Sequence, residues 1–81
     1  HRVAPVYPER AIREGIEGIV LLLVTVNEEG FVYELRAAQE NNPILEAAAI
    51  DAVKEWHYSP TLLNGTPVPV QAMVTVVFNL K

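Results

Sequence analysis

The side chains able to do chemistry in this 81-residue chain are few, and most of them crowd into one short stretch. His57 stands between Trp56 and Tyr58, with Glu55 two residues before it and Ser59 two after; the other histidine, His1, is terminal. A serine, a histidine and a carboxylate are the ingredients of a nucleophilic triad. Placed this close together at the end of one element, they do not converge on a substrate from different directions, and no oxyanion loop accompanies them. His57 reads instead as a solvated histidine at a helix C-terminus, where a cation complements the helix dipole. The chain has no cysteine and no second histidine at ligand spacing, so no zinc site is expected. Gly15 and Gly18 form a turn signal and not a phosphate-binding loop. The sequence therefore predicts no catalytic residue, no metal and no cofactor. What is left for function is binding through the backbone and through exposed strand side chains.

Composition narrows the partner. Half of the residues are hydrophobic (51%) and 20% are charged, as in a folded module, and 81 residues make one domain, residues 1–81. A net charge of −4 lacks the basic patch that nucleic acid requires, and it disfavours anionic lipid. No apolar run approaches the ~18 to 20 residues of a membrane span. The chain opens at His1 and not at methionine, with no signal peptide, and is read as a fragment of a longer protein.

The elements that must position any binding surface follow from periodicity. Pro5 and Pro8 mark an extended lead with Tyr7 as its candidate anchor. Pro8 to Glu14 follows as a short helix stopped by Gly15, with Ala11 and Ile12 toward the core. Gly18 to Val26 is apolar on both faces, the pattern of a strand covered on both sides or placed centrally. Asn27 to Gly30 makes a turn, and Phe31 to Ala38 returns as a strand with Phe31, Tyr33, Leu35 and Ala37 on one face. Asn42 is a good N-cap and Pro43 suits the first helical position. From there Leu45, Ala48, Ala49, Ala52, Val53 and Trp56 form one stripe of 3.6 period, and Tyr58-Ser59-Pro60 stops the helix. Asn64-Gly65 signals a type I′ turn setting the register of the last strand. In that strand Val68, Val70, Ala72, Val74, Val76, Phe78 and Leu80 alternate with Gln71, Met73, Thr75, Val77 and Asn79.

A right-handed crossover through the long helix lets the third strand lie antiparallel beside the first, giving a three-stranded antiparallel sheet of order 2-1-3. With both helices on one face, in the order α-β-β-α-β, the fold class is α+β, a two-layer sandwich. Leucines and valines on the other face stay open or meet a partner. Trp56, Tyr58, Pro60, Asn64 and Gly65 are the expected structural positions.

These residues resemble the C-terminal domain of TonB-type energy transducers over nearly the whole chain. The match runs through PVYPERA (Pro5 to Ala11), IEGIVLLLVTVNEEGFV (Ile16 to Val32), AAIDAVKEWHYSP (Ala48 to Pro60) and the closing NGTPVPVQAMVTVVFNL. The resemblance implies a periplasmic module whose last strand pairs with the TonB box of an outer-membrane TonB-dependent transporter. It implies also a missing N-terminal region that anchors the protein in the inner membrane and meets motor proteins there. In iron or siderophore uptake of that kind, the domain transmits proton-motive energy. Two departures stand out. Ala4 replaces the glutamine that some members carry before the proline of the lead, and the balance here is acidic where well-known members are basic.

The partner-binding residues expected on this reading are Gln71, Met73, Thr75, Val77 and Asn79 on the last strand, flanked by Pro5 and Tyr7. Pro67, Pro69 and Lys81 guard the ends of that strand against unwanted pairing. The alternatives are a structural or dimerisation module of another envelope or signalling protein and, with least support, an enzyme. A homodimer is expected only at high concentration.

Overall fold

The computed structural model describes residues 2–80; His1 and Lys81, and the roles expected for them, lie outside the described residues. Seven elements follow in order: α1 (Glu9–Glu14), β1 (Gly18–Val26), β2 (Val32–Ala37), α2 (Pro43–Val53), β3 (Thr61–Leu63), β4 (Thr66–Val68) and β5 (Val70–Phe78). Strands β2, β1 and β5 form an antiparallel sheet in that spatial order, so the doubly apolar strand is central. Helix residues Ala11, Leu45, Ala49 and Val53 bury themselves with Val20, Leu22, Val24, Val26, Val74, Val76 and Phe78 on one face of it. This is the expected α+β sandwich.

The local chemistry explains most of the boundaries. Asn42 accepts hydrogen bonds from Ile44 N (2.9 Å) and Leu45 N (3.3 Å), satisfying two amides that the first turn of α2 leaves without a helical partner. Gly15 ends α1 in the left-handed region at φ +67°, with Gly15 N bonded to Ile12 O and Ile16 N to Ala11 O, the paired bonds of a Schellman cap. Ala11 is fully buried, but Ile12, expected beside it, is 51% exposed. A helix of 6 residues presents a stripe one residue wide to the sheet, and Ala11 occupies it.

Four further expectations are corrected. Helix α2 ends at Val53 and does not run on to Tyr58-Ser59-Pro60. Its chain tightens through Glu55 N to Ala52 O and Trp56 N to Val53 O. It then turns extended, because His57 bridges Phe31 and Tyr58 N donates to Gly30 O. His57 is therefore no helix cap. Its ring stacks on Phe31 with centroids 4.4 Å apart, and its Nε2 lies 3.1 Å from Glu29 O.

The face of β2 is also split. Its pairing with β1 jumps from Thr25↔Glu34 to Val26↔Val32, so Tyr33 is an extra residue and the alternation inverts across it. Val32 and Leu35 pack on the core while Phe31 and Tyr33 are exposed. Finally, the turn at Asn64-Gly65 (φ +53° and +80°) has the positive φ pair of type I′ but does not set the register of the long strand. It closes a separate hairpin, β3 on β4, with Thr61↔Val68, Leu62↔Pro67 and Leu63↔Thr66. Pro69 lies between that hairpin and β5.

Candidate binding edge

A strand that carries an open edge must leave N–H and C=O groups pointing away from its neighbour, and the hydrogen bonds around β1 reveal which groups these are. Leu21 O accepts from Ala38 N (2.9 Å), so the backbone polar groups of Leu21 point toward β2, as do those of Leu23 and Thr25 by the period of two. Those of Val20, Leu22, Val24 and Val26 then point toward β5, where their partners are Val76, Val74, Ala72 and Val70. It follows that Gln71, Met73, Thr75 and Val77 direct their N–H and C=O groups outward, away from β1.

The same four residues project their side chains to the face without helices. Met73 and Val77 are 57% and 62% exposed, and Gln71 and Thr75 are exposed as well. The expected alternation therefore holds along β5, with Val74, Val76 and Phe78 buried. Asn79 falls one residue beyond the strand.

Other edges of the sheet are protected. Strand β2 is short and bulged at Tyr33, which re-aims its outer groups. Where β2 stops, Asn41 takes over as a side-chain substitute for a strand. Its Oδ1 accepts from Leu21 N (3.1 Å) and its Nδ2 donates to Leu21 O (3.3 Å) and Glu46 Oε1 (2.9 Å). Gln39 Nε2 donates to Asn41 Oδ1 and to Ile19 O. Among the described residues, β5 alone offers a straight edge of nine residues.

The lead brackets that edge on the helix side. Trp56 Nε1 donates to Val3 O (2.8 Å), and the Arg2 guanidinium sits 4.7 Å from the Trp56 ring centroid. Near the other end Tyr7 meets Phe78 edge-on at 5.3 Å and donates its hydroxyl to Ile16 O. Partial burial, and secondarily the Glu17 carboxylate, raises the Tyr7 hydroxyl above its ordinary pKa, so it stays a neutral donor. Pro5, half-buried, lies between these two attachments. Arg2, Trp56 and Tyr58 wall a cleft of about 370 Å³ against Ala72 to Thr75.

The sequence marks Trp56 as a core anchor and Tyr58 as part of the stop after the helix, and nothing in the spacing of Arg2 marks it as part of this wall. A second cavity of about 420 Å³ lies between the lead and α2, lined by apolar Val3, Val6, Ile44 and Ala48 with Asp51 at its margin. No group of three or more metal-ligating side chains occurs among the described residues.

Comparison with known proteins agrees with this fold. The family model described as Gram-negative bacterial TonB protein C-terminal matches residues 3–80. The chain is 30% identical to the protein TonB of Vibrio cholerae over 81 residues, covering 99% of this chain and 33% of that one. It is 34% identical to the protein TonB of Xanthomonas campestris over 78 residues, 95% of this chain and 35% of that one. The chain thus spans about a third of the length of these curated relatives. Among solved structures, that of the Pseudomonas aeruginosa TonB C-terminal domain in solution superposes with a TM-score of 0.83 at 26% identity, covering 100% of this chain and 83% of that one. A Vibrio anguillarum TonB2 structure superposes at 0.73 with 32% identity, covering 100% and 78%.

Proposed function

We propose, because this chain belongs to the Gram-negative bacterial TonB protein C-terminal family, that it is a non-enzymatic coupling module which takes the TonB box of an outer-membrane transporter as an added strand on β5. The observation that carries this reading is the outward row of Gln71, Met73, Thr75 and Val77 on an edge that no described element covers. An incoming extended segment would pair with these N–H and C=O groups, which gives affinity with little demand on its sequence. Its side chains would alternate between the open sheet face and the cleft walled by Arg2, Trp56 and Tyr58. Pro69 has no N–H to offer at one end. At the other, β5 ends at Phe78, so the usable window runs from Gln71 to Val77.

In the whole protein, an inner-membrane anchor and motor partners upstream would make this domain the periplasmic end of an energy-transducing chain for active uptake. Among the described residues no helix is long and apolar enough to cross a membrane, so such an anchor would be supplied by other sequence. Exposure of Ile19, Met73 and Val77 on the helix-free sheet face favours a second reading, a dimerisation module.

Thr75→Pro separates the two readings. The Thr75 N–H is not used by β1, so its loss costs the fold less than a proline facing β1 would, while the ring blocks strand addition at the centre of the window. Titration with TonB-box peptides is expected to show binding to the parent and at least about a tenfold loss in the folded variant, equivalent to about 1.4 kcal/mol. Thr75→Ala should bind like the parent. Undiminished binding by folded Thr75→Pro would contradict strand addition at this edge.

A further inference from the structure

Five asparagines, at positions 27, 41, 42, 64 and 79, occur in the chain, and four of them are chemically restrained. Asn27 Oδ1 accepts from Glu29 N and Phe31 N, and Asn41 is held through both ends of its carboxamide. Asn42 precedes Pro43, which has no N–H, and the amide following Asn79, Leu80 N, is donated to Glu17. Asn64 lacks all of these restraints. It is exposed, its carboxamide makes no hydrogen bond among the described residues, and the next residue is Gly65. The Gly65 N–H donates to no described acceptor, and nothing lies within 4 Å of the position a Cβ would take there. The hairpin that carries the pair is exposed along both strands except at half-buried Val68, so it opens without disturbing the sheet.

We infer that Asn64 is a site of spontaneous covalent modification, in which the Gly65 amide nitrogen converts the Asn64 carboxamide to an acid through a cyclic imide. The Gly65 nitrogen loses its proton and attacks Asn64 Cγ. A new C–N bond closes the five-membered ring, the Cγ–Nδ2 bond breaks, and ammonia leaves with that proton. Solvent water then opens the ring at either carbonyl, giving aspartate or isoaspartate. No oxidant or reductant is needed. The net charge moves from −4 to −5, the loss of one neutral amide to one carboxylate. Isoaspartate inserts a backbone methylene into a two-residue type I′ turn, which cannot then keep Leu63 opposite Thr66. The β1–β5 pairing does not depend on that turn.

The test is to hold the purified folded chain at mildly alkaline pH and follow it by peptide mapping and mass spectrometry. Acid and isoaspartate are expected at position 64 before any of the other four asparagines reacts. Asn64→Gly, which keeps a turn suited to positive φ, should gain no mass over the same period. Earlier conversion at another asparagine would overturn the assignment. So would a mass gain in Asn64→Gly at the parent's rate, or a folded chain that stays intact while the same chain in urea is converted at position 64.

Discussion

Trp56→Ala is expected to lower stability by about 3–5 kcal/mol, the cost of emptying an aromatic site in a packed core. An 81-residue domain has about 4–12 kcal/mol in total, so the variant sits at or near the unfolding threshold. Trp56 is 7% exposed and joins three parts of the molecule: the end of α2, the cluster on the sheet, and the lead. Its truncation removes the buried ring, leaves Val3 O without its indole donor, and takes away the surface on which Arg2 rests. Urea denaturation of the parent, Trp56→Ala and Trp56→Phe distinguishes these terms. Phenylalanine keeps most of the apolar volume, and its loss of one hydrogen bond should cost about 0.5–1.5 kcal/mol before the difference in ring size. A midpoint for Trp56→Ala equal to the parent's would contradict the role assigned to it.

Gly30→Ala should be nearly as damaging although it adds only a methyl group. Gly30 has φ +94°, and a Cβ there would lie 1.9 Å from Tyr58 O. The two backbones cannot simply part, because Gly30 O accepts from Tyr58 N at 2.8 Å and the same segment holds the Phe31–His57 bridge. Positive φ for alanine alone costs on the order of 1–3 kcal/mol, and the collision adds to it. A melt of Gly30→Ala is therefore expected well below that of the parent, with the β1–β2 turn and the segment after α2 losing order together. Gly65→Ala is the control, since Gly65 shares the positive φ but has open space around it. Equal losses in the two variants would show that strain, and not close approach, governs position 30.

Legibility of this fold from sequence followed the strength of local signals. The alternation from Val70 to Phe78 had one period and no interruption, so both its buried face and its exposed row were readable. The register with β1 then makes the exposed row the outward row as well. Asn42-Pro43 and the Leu45, Ala49, Val53 stripe marked α2 because capping and burial act within a few residues of each other. Long-range causes were silent. Nothing near Tyr33 announces a bulge, since the extra residue exists only relative to β1. The helical stripe carries the expected end of α2 on to Trp56, whereas the chain at that point is drawn out by Gly30 and Phe31, some 25 residues earlier. The small hairpin was hidden for a different reason: Thr61 to Leu63 buries nothing, so it has no burial pattern to read. Of the candidate site, the strand was legible and its wall was not, because Arg2 meets Trp56 across two helices and two strands of intervening sequence.

Amide hydrogen exchange of the parent chain, with and without a TonB-box peptide, tests the central claim most directly. Strand addition at β5 predicts an alternating response. The amides of Gln71, Met73, Thr75 and Val77 gain protection on peptide binding. Those of Ala72, Val74 and Val76, already bonded to β1, change little. Binding that leaves the four outward amides exchanging as in the free chain would contradict the account.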